Sequence, residues 1–484
     1  MMTTTNQPPE DTVTIAIAGA GGFVGRALRR ELGRHFKIIA LTRSLSRNPI
    51  PGRDEDGVTW RRCDLFDPDA LTDVLKDVDI LIYLVHSMSP QSRLTQARFE
   101  NLDLLLADNV RIATEKAGVK RIIYLGGLGK AEPGTRLSRH LESRREVGNT
   151  LGAGRASLTR LRAGLVIGSG GSSLRMMVRL VRRLPAMVLP RWTTTPTQPI
   201  ALVDVIRAFD IVLEEDGWNG SFDLGTDETM TYGEMILRTA HQLGRRPLTV
   251  SVPISSPKIS TLWVMLFSGE PRSLVVPLVA SLNSPTLAEP NRLLERLRSD
   301  QRMIDFNTAL EDATRNDAAE EDPRRTVRRQ DKVVINSRRL VRSIQRMKAP
   351  RDWSMNRTCG EYWRWLGRWG RPLLKVTCTP DENEGVSRVM IHLFGLIPLL
   401  HLERDEEASA RDREIMSIKD GLLVRKKGSE TGRFEFRFVR EGGVTLAALQ
   451  DYAPSLPWYF YGATQARLHL LVMGAFRGWL RRRG

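Results

Sequence analysis

The order of apolar and polar positions divides the chain into segments of distinct texture. Residues 13–18, VTIAIA, are a short run of apolar and β-branched side chains, which predicts a buried strand. A glycine-rich turn follows, and Val24, Leu28 and Leu32 then recur at helical spacing. Further strands are predicted at 37–43, 58–64, 79–85, 121–127 and 157–168, with a helix from Arg98 to Ala117. Strands alternating with helices at this pitch predict an α/β fold with a doubly wound parallel sheet.

The texture changes near Pro196. PIALVDVIRAF, FDLGTDETMTYGEMILRTAHQLG and ISTLWVMLF predict strands and helices of an α/β cap on the first unit. Residues 311–340 are charge-rich and poor in large apolar side chains, which predicts a linker. Beyond it, LLKVTCT, SRVMIHLF, PLLHLE, GLLVRK, RFEFRFV and VTLAALQDY are short alternating runs separated by turn residues. The chain closes on a helical pattern from Ala463 to Arg481, with Leu468, Leu471, Val472, Ala475, Phe476 and Trp479 on one face and arginines in the last turn. The expected organisation is a disordered segment at 1–12, a nucleotide-binding sheet domain at 13–195, a cap at 196–310, a linker at 311–340 and a separate α+β domain at 341–484. In that last domain an antiparallel sheet is expected to wrap the C-terminal helix.

Composition narrows the classes. With 41% hydrophobic and 27% charged residues the chain is globular rather than disordered. Cys63, Cys359 and Cys378 show neither C-x-x-C spacing nor a disulfide framework, so a reducing cytoplasm is expected. Residues 1–12 carry no basic and apolar leader pattern, and no run is long enough to span a bilayer. The net charge of +17 comes largely from arginines spread over the whole length, without an aromatic-interleaved basic stripe, so nucleic acid is not an expected partner. A diffuse basic face is compatible with peripheral contact with anionic membrane. His392 and His401 fall on neighbouring predicted strands without the Cys, Asp or Glu that would complete a metal set, so no metal is expected. Trp353, Trp363, Trp365 and Trp369 form a dense aromatic stretch, read as a short helix packing on the next sheet.

The chemistry concentrates in the turn Gly19-Ala20-Gly21-Gly22-Phe23-Val24-Gly25, which follows a predicted strand and opens a predicted helix. Gly19 permits the tight turn, Gly22 lets the backbone approach a pyrophosphate, and Gly25 lets the helix pack against the sheet. The helix N-terminus faces the phosphate charge. At the end of the second strand a carboxylate would bind a ribose 2′-hydroxyl; here Thr42 and Arg43 stand instead, with Arg47 nearby. A guanidinium suits a 2′-phosphate, which favours NADP(H), although Arg43 also reads as a solvated surface arginine. Asp64, at the end of the third strand, is placed either to meet an adenine or to cap the helix of LFDPDAL.

Read together, AGAGGFVGRAL, ALTRS, CDLFD, IYLVHSM, AGVKRIIYLGGLG, LSRHLESRREVG, LRAGLVIGSG, TQPIALVDV and FDLGTDETMTYGEM resemble the atypical, extended short-chain dehydrogenase/reductase superfamily, in its NAD(P)H-binding, epimerase-like branch. The resemblance covers roughly residues 13–300 and implies a Rossmann core with a substrate cap. It implies that Gly19, Gly22, Phe23 and Val24 contact the pyrophosphate, Arg43 the 2′-phosphate, Asp64 and Leu65 the adenine, and Val85 and His86 the nicotinamide side. The third part resembles, in texture only, helix-grip lipid-binding domains, which implies an apolar cavity between sheet and helix.

The departure from the family lies in the catalytic machinery. Active members of the superfamily use a Tyr-x-x-x-Lys pair and a Ser or Thr at the end of the fifth strand. Here that strand ends Leu125-Gly126-Gly127, and the helix offers His140-Leu-Glu-Ser-Arg144. Spacing i, i+4 puts His140 and Arg144 on one helix face. His140 is the candidate proton donor near neutral pH, and Arg144 the candidate for holding the nicotinamide ribose. The alternative is that both are ordinary residues of a surface helix. Two functions therefore stand: an NADP(H)-dependent oxidoreductase on a hydrophobic carbonyl or enone compound, or a non-catalytic NADPH-binding sensor or assembly factor. A membrane-peripheral lipid-binding protein is the third reading.

Overall fold

The computed structural model describes residues 13–43, 57–87, 94–130, 137–252, 261–262, 264–265, 268–270, 272–317, 340–350, 352–381, 385–425, 432–439 and 443–483. The predicted disorder at 1–12, the neighbouring Arg47 and most of the predicted linker lie outside these residues. The chain divides into two compact units, one of residues 1–88 and 106–323, the other of residues 89–105 and 324–484.

The first unit is built on seven strands: β1 (Thr14–Ala18), β2 (Lys37–Thr42), β3 (Val58–Arg62), β4 (Ile80–Tyr83), β5 (Arg121–Gly127), β6 (Ser157–Ala163) and β7 (Gly220–Leu224). They lie in the order β7-β6-β5-β4-β1-β2-β3, and every neighbouring pair is parallel. This is a doubly wound, Rossmann-like sheet, and the strand order reverses at β1. Every residue of β1 is buried. Ile15 and Ile17 join one core with Leu28, Phe209 and Leu294, whereas Ala16 and Ala18 join the other with Leu71, Val110 and Val147. The period of two sends alternate side chains to opposite layers of helices.

Among the described residues, these α-helices belong wholly or partly to this unit: α1 (Phe23–Leu32), α2 (Pro68–Val74), α3 (Phe99–Ala117), α4 (Arg139–Gly152), α5 (Ser172–Arg183), α6 (Leu202–Glu214), α7 (Tyr232–Gln242), α8 (Arg272–Ser281), α9 (Arg292–Asp300) and α10 (Phe306–Asp317). Local chemistry sets several starts. Asp67 caps α2 with Pro68 in its first turn, and Thr231 and Glu234 form a reciprocal capping box on α7. A third core gathers Leu174, Val181, Met235, Val275 and Leu310 from α5, α7, α8 and α10.

The elements cross the limits drawn from the sequence. The sheet takes its seventh strand from Gly220–Leu224, inside the segment expected to be cap. The cap core draws on α5, which precedes the expected boundary at 196. Residues 311–317, expected to open a linker, continue α10.

The second unit holds an eight-stranded sheet. Its labelled strands are β8 (Val341–Met347), β9 (Leu374–Pro380), β10 (Val386–Leu393), β11 (Ile397–Arg404), β12 (Arg413–Asp420), β13 (Arg433–Val439) and β14 (Val444–Tyr452). They run antiparallel in the order β9-β10-β11-β12-β13-β14-β8, and the segment Leu94–Ala97 adds an eighth strand parallel to β8. Strands β8 and β12 were not foreseen, and GLLVRK, expected to be a strand, contributes only a single bridge from Val424 to Pro454. Leu94–Ala97 was not foreseen either, and Gln345 fixes it by donating to the Gln96 carbonyl at 2.8 Å.

The described residues of this unit also form the helices α11 (Met355–Trp369), α12 (Trp458–Ala463) and α13 (Gln465–Leu480). The sheet thus carries α11 as well as the expected C-terminal helix. The space where a helix-grip cavity was expected holds aromatic rings: Tyr362 lies 5.3 Å from Phe434, 5.5 Å from Phe436 and 5.0 Å from Phe476 between ring centroids. The face of α13 also differs from the one expected. Ala466, Val472, Met473, Phe476 and Leu480 are buried, whereas Leu468 and Leu471 are exposed.

Candidate dinucleotide site

In an open parallel sheet the ligand crevice lies beyond the strand C-termini where the order reverses, here between β1 and β4. The residues after those two strands meet closely. Leu84 donates its N–H to the Ala18 carbonyl at 2.9 Å, and a Cβ on Gly19 would sit 3.2 Å from Leu84. Gly19 has φ +94°, a left-handed conformation that only glycine adopts freely. A Cβ on Gly25 would lie 2.4 Å from the Gly19 carbonyl oxygen, so α1 reaches its seat against the turn only with glycine there. Gly22 is the N-cap of α1 and leaves its first turn without a side-chain cap, and a Cβ on Gly21 would meet nothing within 4 Å. Uncapped N–H groups beside open space are what a pyrophosphate needs, so these residues fit the group. Phe23 and Val24 form the first turn itself.

Arg43 follows β2 and is exposed, next to half-buried Thr42, whose carbonyl accepts from Cys63 N–H at 2.7 Å. Asp64 does not cap α2, because Asp67 does; its Oδ1 instead accepts from Phe66 N–H at 3.3 Å. Asn109 donates to the Leu65 carbonyl at 2.9 Å, which fixes the loop that was expected to face adenine.

On the other side of the crevice, His86 and His140 meet. Their rings stack with centroids 4.9 Å apart and planes 7° apart, and His86 Nε2 and His140 Nδ1 share a hydrogen bond at 3.2 Å. Helix α4 delivers His140 from its first turn, where Ser138 caps the helix by accepting from Leu141 N–H at 3.2 Å. Burial, aided by the Arg144 charge, pushes the His140 pKa down to about 3. Burial pushes His86 well down too, helped by Arg144 and His140. Both rings are therefore neutral at pH 7, unlike the imidazolium donor expected from the sequence.

Arg144 is buried beneath this pair. Its guanidinium donates to the Val85 carbonyl at 3.2 Å and to the Leu125 carbonyl, and it lies 4.9 Å above the Tyr124 ring. Tyr124 in turn donates its hydroxyl to the Arg144 carbonyl at 3.0 Å. Arg144 thus ties the C-terminal ends of β4 and β5 together. The same packing explains the glycines that replace a hydroxyl residue. A Cβ on Gly127 would lie 3.0 Å from Leu141 Cδ2 and 3.5 Å from Arg144 Cγ. The space for a serine side chain is occupied by the helix that carries the histidine.

Sequence reasoning assigned His86 and His140 separate roles and missed their pairing, since residues 54 apart in the chain carry no local signal of it. It also missed a cleft of about 670 Å³ beside α1, α6 and α10, lined by Phe23, Arg26, Ser169, Arg207 and Asp210. Burial, with Glu31 and Glu214 nearby, raises the Asp210 pKa to about 6.

A family model described as NAD(P)H-binding matches residues 19–164. The auxiliary protein GraX of Staphylococcus aureus is 25% identical over 114 residues, which span 23% of this chain and 36% of that protein's length. Among solved structures, a nucleoside-diphosphate-sugar epimerase from Staphylococcus aureus is 14% identical and aligns over 62% of this chain and 100% of its own, with a TM-score of 0.49. An NADPH-dependent quinone oxidoreductase from Escherichia coli, solved with NADPH, is 20% identical over 61% of this chain and 98% of its own, with a TM-score of 0.48. Nothing in these comparisons supports the helix-grip resemblance of the third part.

Proposed function

We propose that the chain is an NADP(H)-dependent oxidoreductase acting on an apolar carbonyl or enone compound. The observation that carries this reading is the stacked His86–His140 pair, neutral and half-buried, at the end of the cofactor crevice. When bound, the dinucleotide would supply a hydride. The uncapped first turn of α1 receives the pyrophosphate, and Arg43 receives the 2′-phosphate through a charge-assisted pair. His140 polarises the substrate carbonyl through a neutral imidazole N–H, a role that a depressed histidine pKa suits. Arg144 keeps the two strand ends, and with them Val85 and His86, at fixed separation. A half-buried neutral pair favours an apolar substrate over a charged one.

The test is oxidation of NADPH by the purified chain, followed with a panel of apolar aldehydes, quinones and enones. Turnover that falls roughly 10²–10⁴-fold in His140→Phe, with NADPH affinity unchanged, supports the assignment. Turnover untouched by that substitution removes His140 from the mechanism.

A second reading, a non-catalytic NADPH-binding sensor or assembly factor, is favoured by the glycines at the end of β5 and the strap formed by Arg144. Under it NADPH binds, no substrate turns over, and His140→Phe is silent.

A further inference from the structure

One end of the sheet in the second unit gathers exposed apolar side chains from four separate segments. Phe394 and Leu396, in the β10–β11 turn, are 60% and 83% exposed, and Leu422, just beyond β12, is 60% exposed. Tyr459 and Phe460 on α12 are 91% and 66% exposed, and Leu373 precedes β9. Backbone hydrogen bonds make these one continuous rim. Phe394 N–H donates to the Leu373 carbonyl at 2.8 Å, Leu422 N–H to Pro398 at 3.0 Å, and Ser455 N–H to Leu423 at 3.0 Å, three residues before α12. Tyr461 turns inward beside Tyr452, with ring centroids 6.1 Å apart, and so anchors α12 while its neighbours face out.

The turn itself is built to present its apolar tip. Phe394 and Gly395 have φ +53° and +75°, and Leu396 N–H closes on the Leu393 carbonyl at 3.1 Å. Asn or Asp is the usual residue at such a left-handed position in a tight hairpin turn; an exposed phenylalanine holds it here. Arg371, Lys375 and Arg425 stand at the same end and are exposed. Lys375 passes beside Gly395, and Arg425 N–H donates to the Ala453 carbonyl at 2.9 Å. Asp420, the acidic residue ending β12, faces His401 at 3.7 Å.

From this arrangement we infer that the rim is a docking surface for an anionic lipid bilayer. Its Phe, Leu and Tyr tips enter the interface, and its basic side chains meet acidic headgroups. Separate turns at one level suit a fluid bilayer, which conforms to an uneven rim, and the tips whose N–H groups are already bonded within the fold carry little desolvation cost. The chain's net charge of +17 favours the same approach. No helix among the described residues is long and apolar enough to cross a membrane, so the contact is peripheral.

The experiment is co-sedimentation of the full chain with phosphatidylcholine vesicles, with and without phosphatidylglycerol. Wild type is expected to bind the anionic vesicles, to lose binding as salt rises, and to bind neutral vesicles weakly. Phe394→Asn with Leu396→Ser should weaken binding by roughly a hundredfold, since each inserted apolar side chain is worth about tenfold. Phe394→Asn places a favoured residue in the turn, so the fold should persist, checked by an unchanged thermal melt and circular dichroism spectrum. Tyr459→Ser with Phe460→Ser tests the rim independently from another element, and Lys375→Glu with Arg425→Glu tests its charge. Wild type that ignores anionic vesicles, or rim variants that bind like wild type, would overturn the inference. A wild-type dimer that the apolar substitutions convert to monomer would assign the rim to a second copy of the chain instead.

Discussion

At the residue scale, the site is governed by two charges and two neutral rings. Arg43 should select NADP(H) over NAD(H). Its replacement by alanine removes a charge-assisted pair worth about 1.5–3 kcal/mol, so NADPH affinity should drop roughly tenfold to a hundredfold while NADH affinity barely moves. Titrating both dinucleotides against both proteins measures this, and equal NADH and NADPH affinity in the wild type would refute the role. The histidines give a pH prediction. His140 is held from 6.5 down to about 3, and His469, half-buried in the second unit, from 6.5 down to about 4. Between those values and 6.5 the unfolded chain binds protons that the folded chain refuses. Stability is therefore full above about pH 6.5 and falls as pH drops toward 4. Urea melts at pH 7 and pH 5 should show the loss, and His140→Phe should flatten it. Turnover, if His140 acts as a neutral donor, should be insensitive to pH from about 6 to 8, whereas an imidazolium donor would lose rate across that range.

At the element scale, the glycines of the β1–α1 turn divide into distinct jobs. A Cβ on Gly25 meets backbone at 2.4 Å, so Gly25→Ala must displace α1 and should cost about 1–3 kcal/mol, read as a lower melting temperature. A Cβ on Gly22 meets only the Gly19 carbonyl oxygen, at 3.1 Å. Gly22→Val should therefore lower the melting temperature less than a comparably bulky change at Gly25 and abolish dinucleotide binding, because the side chain fills the pyrophosphate's place. If Gly22→Val still binds NADPH, the turn is not the phosphate site. Much of this turn was legible in the sequence, since a strand, glycines at fixed spacing and a helix are local features. The catalytic arrangement was less so. The i, i+4 spacing of His140 and Arg144 was visible, but their partners, His86, Val85 and Leu125, come from the ends of two other strands.

At the scale of the whole molecule, the second unit is not closed by its own contiguous chain. Leu94–Ala97 covers the edge of β8, Asn101 donates to the Ile344 carbonyl at 3.3 Å, and Gln96 donates to the Ala466 carbonyl at 2.8 Å. A fragment of residues 324–484 would lack all three and expose a strand edge. It should melt lower than the same unit in the full chain and aggregate on heating, which scattering during a thermal ramp would reveal. A fragment as stable as the unit in the intact protein would show that the added strand is dispensable.

The sequence by itself determined the parallel sheet, the glycine turn, the succession of that sheet's first six strands, and the antiparallel character of the last third. These follow from periodicity and from residues adjacent in the chain, where backbone sterics and side-chain alternation act directly. Tertiary structure decided which distant segments complete each sheet: Gly220–Leu224 in the first and Leu94–Ala97 in the second. It also decided that Arg144 straps strand ends, that His140 is neutral, and that aromatic rings fill the space beneath the second sheet. Burial sets all of these, through the packing volume left by neighbours and the cost of charge away from water, and burial is a property of the folded surroundings rather than of any residue alone.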